Sequence, residues 1–234
     1  MLFRSLFGAA LFAVAHQKFW LLAGAFSGFL VVAPVLATSL YAMSRALEHQ
    51  APIRLSLLRE TWMSWQQSRF VDRGGYWCLV RFGMLLALAG TGWVLTSAAL
   101  ITLMAPAPVN APLDFLRHVV LGRNNYLFEL WLSMGGILAA PIFASSVVSM
   151  PLMLDRRITL LDAVLTSWRV VLVNPVPMAV WSALIMLLVG LGFATLLVGL
   201  LVVVPVLGHA SWHAYRALVD ASALPQRDAR QESR

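Results

Sequence analysis

The sequence predicts an all-α integral membrane protein: about six transmembrane helices, arranged as three pseudo-repeated hairpins with two interfacial amphipathic helices. Three observations lead there. The 234 residues are 60% hydrophobic and 12% charged, with a mean hydropathy of +0.80. Globular proteins carry about 25% charged residues, so this chain cannot clothe a water-facing surface of its size, and lipid is its natural solvent. Apolar stretches fill about 2–15, 20–44, 77–105, 126–153 and 176–219, against the roughly 20 residues that one helical crossing needs. Finally, glycine, five residues and proline recur three times in apolar surroundings, at Gly28/Pro34, Gly135/Pro141 and Gly199/Pro205. Such self-similarity outranks any single residue as a clue to architecture.

The repeat extends beyond its markers. Residues 33–48 (APVLATSLYAMSRALE) align with 140–155 (APIFASSVVSMPLMLD), each ending in an acid, Glu48 and Asp155. The third copy, VPVLGHASWHAYRAL at 204–218, sets Trp212 in register with Tyr41 and Arg216 with Arg45. The units run over about 1–48, 53–153 and 158–219, forming one polytopic membrane domain over 1–219. Glycine permits close helix approach in lipid. Proline frees a backbone carbonyl one turn earlier and bends its helix.

Taken in order, the first span is short. MLFRSLFGAALFAVA carries a basic residue, an apolar run and Ala13-x-Ala15, which imitates a signal peptide, but it reads better as the first half of a hairpin. The second span ends near Glu48. Residues 53–73 place Leu55, Leu58, Trp62 and Trp65 at helical spacing and read as an amphipathic helix. Gly74-Gly75 opens span three, with the single cysteine, Cys78, at its start; one cysteine excludes an intrachain disulfide and a Cys-x-x-Cys motif. The connection 106–125 holds Pro106, Pro108 and Pro112, then a short helix around 113–121. Span four carries Glu129 near its outer end. Residues 158–172 form the second amphipathic helix, with a stripe of Leu161, Leu165, Trp168 and Leu172, and Thr159 with Asp162 resembles a capping box. This helix either lies in the membrane interface or packs on the bundle. Asn174-Pro175 opens span five, and 176–219 fits two crossings joined by a tight turn around Gly199. The tail 220–234 is polar and expected to be disordered.

Charge sets the orientation. With both termini cytoplasmic, 14 of the 17 basic residues face the cytoplasm, and Lys18, Arg117 and Arg123 remain outside. This satisfies the positive-inside rule. The net charge of +7 therefore reflects topology and anionic headgroups. No basic, aromatic-interleaved soluble module suggests a nucleic-acid partner.

Polar residues inside spans mark interiors and pathways. Four residues after each proline stand Thr38, Ser145 and His209, and eight after stand Ala42, Ser149 and His213, on one helix face. These residues are the candidates for a ligand or proton pathway. His209 and His213, at i and i+4, could share a metal, yet two ligands are too few for a tight site. One helix also cannot supply both axial ligands of a haem. Structural hydrogen bonding is the favoured reading, and no cofactor is expected. Arg45, Glu48, Asp155, Arg156 and Arg216 flank one layer and are expected to pair at the interface. Nothing has the spacing of a nucleophile elbow, phosphate loop or zinc-protease helix, so the reading leans away from an enzyme.

The strings APVLATSLYAMSRALE, SVVSMPLMLDRR, NPVPMAVW and PVLGHASWHAYR together resemble a prokaryotic membrane family, domain of unknown function 2189, over about Ser5 to Val219. The family is sometimes labelled cytochrome c oxidase subunit I. The resemblance implies a bacterial inner-membrane protein with several spans and no established activity. It also implies an extra amphipathic segment before the first span, which unit 1–48 lacks. The oxidase label does not fit: an oxidase core needs histidines spread over several helices for two haems and copper. At most the chain would serve as an accessory to a respiratory complex. The expected partners are the bilayer and another membrane protein or small apolar ligand bound by the bundle. A small transporter is the alternative. It requires Thr38, Ser145 and His209 to converge on a cavity.

Overall fold

A computed structural model describes residues 37–48, 50, 77–122, 126–195 and 198–226. Gly28, Pro34, most of the first hairpin, the amphipathic segment 53–73, Gly74-Gly75, Lys18 and Arg123 lie outside the described residues, as does the tail beyond 226. Regular structure among the described residues is helical, apart from one isolated antiparallel bridge between Arg156 and Gln226. Residues 37–48 form α1. There follow α2 (Trp77–Met104), α3 (Pro112–Phe115) running into a π-helical turn (Leu116–Val120), α4 (Leu127–Ser146), α5 (Ser149–Asp155), α6 (Leu160–Val173), α7 (Pro175–Ala194) and α8 (Leu200–Leu218). Three segments are long and apolar enough to cross a membrane: Cys78–Met104, Leu127–Asp155 and Pro175–Gly192. These are three of the six spans expected. The fourth helix of comparable length, α8, carries His209, His213 and Arg216, which lower its hydropathy.

The chain divides into two compact units. One comprises residues 1–32 and 86–142, and it is described over 86–122 and 126–142. Its centre is Trp131. The indole packs at 5.6 Å from Trp93, edge-on at 5.5 Å from Phe115 and stacked at 6.3 Å from Phe128. Its Nε1–H donates to Ser97 Oγ at 2.5 Å, so the one polar atom of the ring is satisfied away from water. Below it lie Ile101, Val119 and Leu127, the last two fully buried. Gly135 faces Trp93 so closely that a Cβ there would stand 3.0 Å from the indole. The connection is built as the prolines suggest. Asp114 accepts from the Asn110 and Ala111 amides at 3.1 and 2.9 Å, capping α3. The turn that follows closes with Leu121 N–H on the Leu116 carbonyl, at 2.8 Å.

The second unit comprises 33–85 and 143–234, and it is described over 37–48, 50, 77–85, 143–195 and 198–226. Here α4 passes through Pro141 without interruption and breaks six residues later, at Val147–Val148, before α5 begins. Neither residue is a helix breaker. The cause is tertiary: Ser167 of α6 takes the Val148 N–H at 3.2 Å. The α6 N-terminus matches expectation in detail, because Thr159 Oγ1 accepts from the Asp162 amide at 3.2 Å. Pro175 stands at the first position of α7, where its missing N–H is no loss. Between α7 and α8 the chain reverses as expected around Gly199, whose amide donates to Thr195 Oγ1 at 2.9 Å. Gly199 is therefore a turn residue, whereas Gly135 is a helix-packing residue. The same motif position does two jobs.

After α8 the chain turns back toward α5. Residues 219–226 fold back on the end of α5. Arg156 Nη1 donates to the Leu224 carbonyl at 2.9 Å and the Arg157 amide to the Pro225 carbonyl at 3.0 Å. Within this strap Ala221 is buried. The Asp220 carboxyl takes the Ser222 amide at 3.0 Å, and bonding to Ser222 holds it below the usual carboxylate range. Buried arginine N–H groups require acceptors, and the carbonyls of this polar segment supply them.

Candidate functional site

The polar residues of the second unit gather where α1, α5 and α8 end together. Three elements aim side chains at Asp155, which is only 3% exposed. From α1, Arg45 Nε stands 3.4 Å from Oδ1. Immediately after α5, Arg156 Nε donates to Oδ2 at 3.0 Å. From α8, the Tyr215 hydroxyl donates to Oδ2 at 2.8 Å, and Arg216 Nη1 lies at 3.8 Å. A buried carboxylate is costly unless several donors replace its water, and here they do. Glu48 forms a second, more exposed node: Trp212 Nε1 donates to Oε2 at 2.8 Å and Arg216 Nε to Oε1 at 3.0 Å. Trp212 and Tyr215 meet edge-on at 5.6 Å, each about 1% exposed, and seal the two nodes from one side. The five residues expected to pair at the interface are thus joined through Asp155 and Glu48.

One turn further into the helices, α1 and α8 touch. A Cβ on Gly208 would lie 2.6 Å from Leu40 Cδ1 and 2.9 Å from Leu40 Cβ, so only glycine fits. This contact brings Ser44 Oγ to 2.6 Å from His209 Nδ1. The hydroxyl also donates to the Leu40 carbonyl at 2.9 Å.

The remaining pathway candidates are spent differently. Thr38 is fully buried. Ser145 Oγ accepts from Trp168 Nε1 at 2.9 Å. The Ser149 hydroxyl donates to the Ser145 carbonyl. His213, next on the face from His209, is exposed. Ser145 and His209 thus bond in separate pairs, one to α6 and one to α1. Among the described residues, no three His, Cys, Asp or Glu side chains stand close enough to hold a metal ion. Pro205 lies inside α8, as Pro141 lies inside α4.

Three participants escaped sequence reasoning: Ser44, Ser167 and the strap carbonyls. Trp212 was visible as the register partner of Tyr41 and, with Tyr215, in the string PVLGHASWHAYR that carries the family resemblance. The usable signal for Tyr215 was its spacing: it falls three residues after Trp212, on the same face of α8.

No curated protein and no solved structure matches the chain. One family model does, described as a predicted integral membrane protein (DUF2189), over residues 21–155. The matched region ends at Asp155, so it includes the centre of the cluster but not α6, α7 or α8. Three helices of membrane-spanning length and an arginine-rich layer where helices end agree with that description, and the chain belongs to the DUF2189 family of integral membrane proteins.

Proposed function

We propose that the chain is a non-enzymatic, multi-pass protein of the bacterial inner membrane, with both termini cytoplasmic. In this reading, six spans form three hairpins, α6 lies in the cytoplasmic interface, and the bundle binds a membrane partner or a small apolar ligand. The observation that carries the membrane placement is the inverted face of α6. Its large apolar residues point away from the protein: Leu161, Leu165 and Leu172 are 67%, 57% and 71% exposed. Its small residues, Ala163 and Ser167, point inward and are fully buried. A helix packed for water would do the opposite. Moreover α6 starts five residues after the span ending at Asp155 and stops two residues before the span starting at Pro175. Both its ends are therefore tethered at one membrane surface, where leucine and tryptophan suit the headgroup boundary.

The non-enzymatic half of the proposal rests on how the polar groups are used. Asp155 and Glu48 are engaged by arginine, tyrosine and indole donors, and His209 by Ser44. They act as structural partners and not as an acid–base pair facing a cleft. The transport reading needed Ser145 and His209 in one lining, and their separate partners speak against it.

Two measurements test the placement. A nitroxide on Leu165→Cys in proteoliposomes is expected to meet oxygen far more readily than a polar nickel chelate. Preference for the chelate overturns the interfacial helix. A cysteine at Asn110 is expected to react with an impermeant maleimide from the periplasm, and labelling only after lysis inverts the topology. The binding half is tested by metal analysis of purified protein beside the His209→Ala/His213→Ala double variant. Stoichiometric metal in the parent alone would replace it with redox chemistry.

A further inference from the structure

The end of α8 and the strap that follows it border a cleft of about 520 Å³, lined by Arg156, Arg216, Asp220, Ser222 and the chain between 216 and 222. Its size is that of a small-molecule site, about 300–1,000 Å³, but such sites are mostly walled by apolar side chains. This one carries two guanidinium groups and a carboxylate. Arg156 is buried and held in place, with Nε on Asp155 at 3.0 Å and Nη1 on the Leu224 carbonyl at 2.9 Å. Arg216 stands at the exposed side. Its Nε donates to Glu48 at 3.0 Å, while Nη1 lies 3.8 Å from Asp155, beyond hydrogen-bond reach. The Nη hydrogens of Arg216 therefore make no hydrogen bond among the described residues. Asp220 is exposed, and the Ser222 amide fixes its carboxylate by donating at 3.0 Å. The last carbonyls of α8 also belong to this wall. The final turn of a helix has no N–H for them, and its partial negative charge favours a cation.

A bare anion would suit the arginines but meet Asp220 and the negative end of α8. A bare cation would suit that end but meet two guanidinium groups. A ligand with a phosphate and, a few bonds away, a primary ammonium satisfies both sets, because arginine pairs well with phosphate oxygens and a carboxylate with an N–H donor. We infer that the cleft binds a phosphoethanolamine headgroup, with Arg156 and Arg216 on the phosphate and Asp220 with the last α8 carbonyls on the ammonium. The lipid as source rests on the membrane placement proposed above. The span that ends at Asp155 is followed five residues later by α6, so Arg156 lies where that placement puts the headgroups. Soluble phosphoethanolamine offers the same groups, and the test separates the two.

The test titrates the full chain in detergent with phosphatidylethanolamine, phosphatidylcholine or phosphatidylglycerol and counts the one-lipid complex by native mass spectrometry. A chain of net charge +7 attracts an anionic lipid anywhere along its basic ends, so the deciding readout is the change made by Asp220→Asn. Asparagine keeps a carbonyl oxygen for the Ser222 amide, and an unchanged melting temperature verifies that the strap survives. The variant is expected to retain phosphatidylethanolamine about fivefold less well, the upper range for an exposed ion pair, and phosphatidylglycerol no less well than the parent. Phosphatidylcholine, whose nitrogen has no hydrogen to donate, should bind the parent more weakly than phosphatidylethanolamine. Arg216→Gln should weaken all three lipids. Unchanged phosphatidylethanolamine retention in Asp220→Asn, a parallel fall of phosphatidylglycerol, or indifference to Arg216→Gln overturns the site. Displacement of the lipid by soluble O-phosphoethanolamine supports the same headgroup chemistry from a soluble source, and resistance to it supports the lipid. The Leu165→Cys nitroxide reports on membrane placement by itself, so an interfacial α6 with no lipid selectivity removes the cleft assignment alone.

Discussion

The Trp131 cluster and the Asp155 cluster solve the same problem, holding helices together, in opposite ways. Around Trp131 the contacts are rings and small residues, with a single hydrogen bond to Ser97. Around Asp155 they are charges and donors converging on one carboxylate. On the membrane placement proposed above, the difference follows from surroundings. Where both faces of a helix see hydrocarbon, apolar burial gains little, so shape and close approach must supply the cohesion. Where helices end near headgroups, arginines can keep their stems in the apolar layer and bring charge to a buried acid. One cluster is thus expected to fail by loss of fit, the other by loss of a charge partner.

The largest effect should come from emptying the charged cluster. Asp155→Ala leaves Arg45, Arg156 and Tyr215 facing a missing acceptor and is expected to cost about 3–5 kcal/mol, the range for breaking a buried pair. Trp131→Ala is expected to cost less, about 2–3 kcal/mol, because lipid offers the freed surface a tolerable solvent. Unfolding by a denaturing detergent, titrated in mixed micelles, ranks the two. If Trp131→Ala proves the costlier, the comparison is wrong.

A glycine series sharpens the same contrast on a smaller scale. Gly208→Ala must displace Leu40 Cβ, near the backbone, and is expected to cost about 2 kcal/mol. Gly135→Ala meets only the rim of Trp93 at 3.0 Å and should cost about 1 kcal/mol or less. Gly136→Ala has open space around it and should be neutral or slightly stabilising, since alanine favours helix by about 1 kcal/mol. Thermal shifts of the three variants suffice, and equal losses at 135 and 136 would remove the close-packing account.

The smallest effect belongs to the exposed node. Glu48→Gln keeps an acceptor for Trp212 and loses the charge opposite Arg216, so about 0.5–1 kcal/mol is expected. That loss should shrink as salt is added, because these side chains are about one-third exposed and within reach of screening ions. A loss that ignores salt would mean that the pair is sealed from solvent.

What could be read from the sequence was local or periodic. The Thr159–Asp162 cap, the Pro175 helix start and the Gly199 reversal each depend on residues a few positions apart, and each lies where the spacing put it. The register singled out Arg45, Glu48, Asp155 and Arg216, which the structure joins through two carboxylates. Which charge meets which was not legible, since Arg216 and Glu48 are 168 residues apart and the choice depends on how helices abut. The break at Val147–Val148 carried no signal at all: two β-branched residues mark it, and Ser167, which takes the Val148 amide, sits on another helix. The contacts of residues 220–226 were out of reach for a similar reason. Composition judged those residues alone, while Arg156 supplied a partner from outside them.

That strap has one more property. It pairs with Arg157 through the carbonyl of Pro225, and proline has no amide hydrogen to give in return. The Arg156–Gln226 bridge therefore cannot lengthen toward Pro225 into a regular ladder. An extended segment with both backbone edges available would invite strand exchange between neighbouring molecules crowded in one membrane plane. A proline at this place lets the chain fasten to itself while remaining a poor template for anyone else.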